Sequence, residues 1–218
     1  EGGAHQSIGT PLIGISQPGI LSFEPAFADE LSAIMNYGFN YLQDENGGSI
    51  YLRLSTRSID QPVRNLDQNS INLIVKGGYW LKNPGPNPEI IIVYQGVIAK
   101  EVIQATAYLG ENFKDLGVLS ITSSDNLFHE WKKKNISLNE EGSKSHIEYL
   151  LEAIPRDTKI ITVIDGHPMT LSWLGSVYGH KTLPLGVDRF GQTGNINDLF
   201  KEFTIDSESI SNLGLINN

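Results

Sequence analysis

The chain has no cysteine among its 218 residues and only two methionines. The first absence excludes disulfides, thiolate nucleophiles and cysteine-based metal sites, and it fits a reducing cytoplasm. No apolar run approaches the roughly 18 residues that a membrane span needs. Basic residues are few: the net charge is −9, the pI is about 5.0, and no cluster exceeds Lys132-Lys133-Lys134. Nucleic acid and acidic membrane surfaces are therefore excluded as expected partners. Gly-x-Gly-x-x-Gly and Walker patterns are missing, so no independent nucleotide site is expected. Gly175-Ser176-Val177-Tyr178-Gly179 is not a nucleophile elbow, because its serine directly follows the first glycine. His129 and His146 have no carboxylate or histidine at metal-ligand spacing and are expected at the surface. What is present, 39% hydrophobic and 19% charged residues, is ordinary for a globular protein.

The chain is organised around residues 89–109. The run Ile90-Ile91-Ile92-Val93-Tyr94 is β-branched and apolar on both faces, as in a strand covered by helices on either side. Gln95-Gly96 ends it, and Val102, Ile103, Ala105, Thr106 and Leu109 then recur at helical spacing. Residues 117–122 and 159–164 repeat the strand pattern. A helix over 124–134, capped by Ser124 or Asp125, turns Leu127, Phe128 and Trp131 inward, and a shorter one covers 146–154. Further helices are expected at 173–178, 195–203 and 206–213, with a short strand over 183–187. Upstream, residues 1–22 read as loop. A helix over 26–42 carries Phe27, Leu31, Ile34, Met35 and Phe39 along one side, and a strand over 49–55 alternates Ile50, Leu52 and Leu54 with polar neighbours. Residues 58–70 read as a linker. Ile71–Val75 and Tyr79–Leu81, around Gly77-Gly78, are expected as two short paired strands at a sheet edge. The fold class is α/β: a three-layer αβα domain with a mostly parallel sheet.

Five stretches in this order resemble the C-terminal part of thiamine-diphosphate enzymes of the transketolase superfamily. They are Glu1-Gly2-Gly3-Ala4-His5-Gln6-Ser7, Glu24 to Glu30, Tyr51 to Arg57, Lys76-Gly77-Gly78-Tyr79, and Phe190-Gly191-Gln192-Thr193. Each is weak alone; their order and spacing carry the resemblance. Phe203-Thr204-Ile205-Asp206 and the helix after it look like the homodimeric dehydrogenase component of 2-oxo acid dehydrogenase complexes. The His-Gln-Ser segment and the Ser-Thr-Arg strand end lean toward transketolase, which stays the alternative; a non-catalytic α/β assembly module is a third reading.

The resemblance implies that residues 1–69 are the tail of a pyrimidine-binding-like middle domain and 70–218 the C-terminal domain. The chain, which begins without methionine, is then expected to be part of a longer polypeptide. The intact enzyme would use thiamine diphosphate and magnesium, with none bound by this part alone. It would decarboxylate a 2-oxo acid such as pyruvate and pass the acyl unit to a lipoyl-bearing acyltransferase, as a homodimer. His5 is the implied catalytic residue, a histidine on a Gly-rich loop able to move a proton. Gln6 and Arg57 are the implied substrate-binding residues. Arg57 stands one position off register, which makes Arg53 its rival. Asp165-Gly166-His167-Pro168, at another strand end, can form a polar crevice or a plain turn.

Overall fold

A computed structural model of the chain describes residues 7–137, 143–190 and 192–216. The first elements are a 3₁₀ turn at Thr10–Leu12 and a short helix, α1 (Ile13–Ser16). Strand β1 (Ile20–Phe23), helix α2 (Ala28–Tyr41) and strand β2 (Ser49–Leu52) follow. β1 and β2 pair in parallel, Ile20 with Ser49 through Phe23 with Leu52, as a two-stranded sheet. Part of the segment expected as loop is thus a strand. Its four residues are too short to show an alternation. The strand over 49–55 ends three residues early, and Leu54 is exposed.

Helix α3 (Gln68–Lys76) replaces the expected strand over Ile71–Val75, so no hairpin forms there. Asp67 caps it, accepting a hydrogen bond from the Ser70 N–H at 2.7 Å. Gly77 ends it at φ 114°, a conformation open to glycine, where a Cβ would lie 2.7 Å from the Ser123 carbonyl. Strand β3 (Gly78–Lys82) then forms the sheet edge, but its partner is the central sheet.

The main sheet comprises β3, β4 (Ile90–Gln95), β5 (Gly117–Ile121), β6 (Lys159–Ile164) and β7 (Thr182–Leu185) in the order β3-β5-β4-β6-β7. Only β3 is antiparallel. Every residue of β4 is buried. Ile90, Ile92 and Tyr94 point into one layer, formed by α4 (Ala99–Leu109), α9 (Ile196–Glu202) and α10 (Ser207–Ile216). Ile91 and Val93 point into the other, where α5 (Ser124–Ile136), α6 (His146–Leu151), α7 (Met169–Ser172) and α8 (Gly175–Tyr178) pack. This is the expected three-layer arrangement. The cap of α5 is Ser123, whose hydroxyl accepts from the Asn126 N–H, rather than Ser124 or Asp125. Asp125 instead accepts a hydrogen bond from the Ser22 backbone at 2.8 Å and ties β1 to α5.

Residues 7–66 are joined to this sheet by a third core that includes Phe23, Ile34, Ile74 and Tyr79. The buried face of α2 is Glu30, Ala33, Ile34 and Gly38. Met35 and Phe39, expected on that face, are 41% and 63% exposed. The face is rotated because Glu30 is fully satisfied inside: its carboxylate accepts from the Ala26 and Phe27 N–H groups at 2.6 and 3.1 Å and from the Tyr79 hydroxyl at 2.5 Å.

Candidate functional site

β4 and β6 lie side by side, yet the chain leaves β4 toward β5 on one side and returns to β6 on the other. In an open α/β sheet the crevice beyond the carboxyl ends of two such strands is the usual ligand position. Here that crevice is lined by side chains from four strand ends. Glu24 follows β1, Arg53 follows β2, Gln95 ends β4 and Asp165 follows β6. Arg53 donates from Nη1 to the Glu24 carboxylate, and from Nη2 to the Asp165 carbonyl at 2.7 Å. Gln95 donates from Nε2 to the other Glu24 oxygen at 3.1 Å, leaving its own Oε1 buried and unpaired. The Glu24 backbone N–H reaches the Thr122 carbonyl at 2.8 Å, fixing the strand end in place. Gly96, at φ 74°, closes over the carboxylate, and a Cβ there would fall 2.3 Å from Glu24 Oε1.

Glu24 is 4% exposed. Burial pushes its carboxyl up from 4.5 to about 7, against the pull of Arg53 and the Gln95 amide; the Asp165 charge pushes it the same way as burial. A buried acid with a raised pKa, held by an arginine at a strand end beside a crevice, is a candidate functional group. Nothing in its local sequence announced it, because its partners stand 29 and 71 residues away. Its place directly after an apolar strand and before Pro25 was the available hint.

Beside this cluster, on the side of β6 and β7, opens a cavity of about 360 Å³. Arg53, Asp165 and Arg189 supply its charge, and Phe200 and Phe203 much of its apolar wall. The turn after β6 thus does border a polar crevice, through Asp165 and Gly166. His167 is used locally: its Nδ1 accepts from the Met169 N–H at 3.2 Å.

The other expected groups are placed as follows. His5 and Gln6 lie outside the described residues. Arg57 lies away from the cluster. It makes a two-pronged pair with Glu101 of α4 at 2.6 and 3.1 Å, and its guanidinium lies 4.9 Å from the Phe200 ring centre. Arg53, its rival, is the arginine that reaches the crevice. His129 is exposed, as expected. His146 is not at the surface: its Nε2 pairs with the Gly78 carbonyl at 2.8 Å, and burial holds its pKa below the ordinary value. It is buried because α6 lays it against the start of β3. Trp80, Trp131 and Trp173 pack on the edge of the second helical layer. No three His, Asp or Glu side chains gather as a metal site among the described residues, and no described helix is long and apolar enough to cross a membrane.

Fold and crevice together define a three-layer α/β domain with a mostly parallel five-stranded sheet and a charged cluster at its carboxyl edge. Residues 77–206 match the family described as the transketolase-like TK C-terminal domain, and the chain belongs to that family. It is 28% identical over 211 residues to transketolase 1 of Saccharomyces cerevisiae, covering 97% of this chain and 27% of that protein. It is 25% identical over 226 residues to the pyruvate dehydrogenase E1 component of Buchnera aphidicola, covering 96% and 24%. The transketolase structure from Leishmania mexicana superposes with a TM-score of 0.72 at 17% identity, over 98% of this chain and 27% of that one. The chain therefore spans about a quarter of the length of these relatives, and it corresponds to their C-terminal part.

Proposed function

We propose that this chain is the C-terminal part of a thiamine-diphosphate-dependent 2-oxo acid dehydrogenase component. The intact protein would decarboxylate pyruvate or a close analogue and deliver the acyl unit to a lipoyl carrier, as a dimer. Residues 1–69 would close the middle domain and 70–218 form the C-terminal one, with α3 as the connecting helix. His5 would handle the proton at the reacting carbon, and Gln6 would meet the substrate. The cofactor, when bound, supplies a stabilised carbanion. The metal–diphosphate end of that cofactor would be held by the part of the protein that precedes these residues. Their own chemistry is charge, hydrogen bonding and shape.

The observation that carries this reading over sugar-phosphate transfer is the state of the arginines at the sheet's carboxyl edge. Arg53 is paired with Glu24, Arg57 with Glu101 and Arg189 with Glu202. A dianionic phosphate calls for uncompensated, two-pronged guanidinium groups. Arginines that already have a carboxylate partner, two of them largely buried and Arg189 at the surface, offer a dianion less charge, which supports a singly charged acid. Ketol transfer between sugar phosphates is the second reading, favoured by the transketolase names of the yeast and Leishmania relatives.

Full-length protein loaded with thiamine diphosphate and Mg²⁺ tests both. Pyruvate-dependent acylation of a lipoyl domain is expected. Two-carbon transfer between sugar phosphates, with no pyruvate turnover, would replace this reading by the second. A separate calorimetric titration of the 218-residue chain with thiamine diphosphate should show no binding; micromolar affinity would overturn the division at residue 69.

A further inference from the structure

The cavity beside the Glu24–Arg53 pair has a composition of its own. Its polar end holds Arg53 and Arg189, and Gln192 adds a side-chain oxygen that is buried without a hydrogen-bond partner. An amide acceptor buried unpaired is costly and calls for a donor. Much of the remaining lining is apolar, from Leu199 and Phe200 of α9 together with Val187 and Phe203, and the Arg189 guanidinium lies 4.9 Å from the Phe203 ring centre. Arg53 spends Nη1 on Glu24 and Nη2 on the Asp165 carbonyl, while a guanidinium carries five N–H donors. The volume, about 360 Å³, falls in the range of small-molecule pockets. It opens on the side of β6 and β7, next to the crevice at the carboxyl ends of β4 and β6, and shares Arg53 and Asp165 with it.

We infer that this cavity is a binding site for a small organic acid with a compact apolar body and a hydroxyl or amine donor. The acid's carboxylate meets Arg53 and Arg189, its donor meets Gln192 Oε1, and its body lies against Phe200 and Leu199. Glu24 is the carboxylate that already holds Arg53, so ligand and Glu24 compete for one guanidinium. The charged and polar groups around Glu24 are Arg53 after β2, Gln95 on β4 and Asp165 after β6; Arg189 and Glu202 stand at the cavity rim. Burial weakens the hold of Glu24 on Arg53 by favouring the neutral carboxyl.

The site needs no turnover by the longer protein, so its test is separate from that of the proposed function. Mandelate carries the carboxylate, the hydroxyl donor and an apolar ring; mandelamide is its neutral counterpart. Calorimetry and amide-shift titration of the 218-residue chain should show saturable mandelate binding, at least about tenfold tighter than mandelamide, the range of a hydrogen bond to a charged group. Arg53→Gln should erase the acid-over-amide preference, and Glu24→Gln, which releases Arg53, should tighten mandelate several-fold. Arg189→Gln alters an exposed side chain and should weaken mandelate without disturbing the fold, so the test stands even if Arg53→Gln unfolds. No saturation by about 10 mM mandelate, far weaker than a millimolar site, would overturn the inference. Equal affinity for acid and amide, or indifference to Arg189→Gln, would do the same.

Discussion

Burial governs how Glu24 behaves with pH. Its carboxyl stands at about 7 in the folded chain against 4.5 ordinarily, so between those values the native state binds a proton that the unfolded chain releases. The stabilisation this gives is complete below about pH 4.5 and is lost as pH rises through 7. The shift corresponds to about 3 kcal/mol. His146 and His180 act oppositely, since burial lowers their pKa and their folded forms resist protonation as pH falls. The Glu24 contribution is therefore visible only as a difference. Glu24→Gln should be the more stable protein at pH 8 and lose that advantage toward pH 5, by urea unfolding at each pH. A pH-independent difference would remove the titration. Arg57 gives a contrasting case. Its pair with Glu101 is largely buried, at 16% and 9% side-chain exposure, and Phe200 packs on it. Arg57→Ala should cost about 3 kcal/mol by leaving Glu101 unpaired, and a second change, Glu101→Leu, should restore much of it. If Arg57→Ala were neutral, the pair would be ornamental and Arg57 available to a ligand.

Strands buried on both faces were legible because their composition has one explanation: β4, β5 and β6 fall where runs of branched residues stand. α3 was not. Ile71, Ile74 and Val75 favour a strand locally, but Ile74 is buried beside Phe23 and Ile34 and a helix alone turns it there. Asp67 and Gly77, nine residues of helix apart, were the legible signals, hidden by reading residues 58–70, Asp67 included, as linker. The same limit applies to the crevice. Arg53 and Asp165 were visible singly as strand-end residues, but their meeting at a separation of 112 is a property of the topology. The end of α3 yields a direct test. Gly77→Ala must hold alanine at φ 114° with its Cβ against the Ser123 carbonyl, and should cost more than about 1 kcal/mol. Gly19, also at positive φ but with open space around it, is the control and should cost less. Equal costs would show that the backbone angle alone, not the Ser123 approach, decides.

At the scale of the molecule the two sheets are unequal. β4 has partners on both sides and helices on both faces, whereas β1 and β2 have only each other among the described residues. Parallel pairs of two strands are rarely stable alone, since parallel sheets persist when buried in wider ones. Here the pair is held from one side, through Phe23 and Ile34 against Ile74 and Tyr79, and through Ser22 and Glu24 to Asp125 and Thr122. Met35, Phe39, Leu42 and Val63, all before residue 67, remain exposed. Native-state hydrogen exchange on the 218-residue chain should therefore resolve two units. Amides of β4, β5 and β6 should open only with global unfolding. Those of β1, β2 and α2 should open in a smaller, separate event, sensitive to Tyr79→Phe, which removes the hydroxyl donor to the buried Glu30 carboxylate. In the full-length protein the same amides should gain protection while β4 changes little. Uniform protection in the 218-residue chain would mean that the attachment through Phe23, Ile34 and Glu30 already couples the front segment to the main sheet as one cooperative unit, and that its open edges cost nothing.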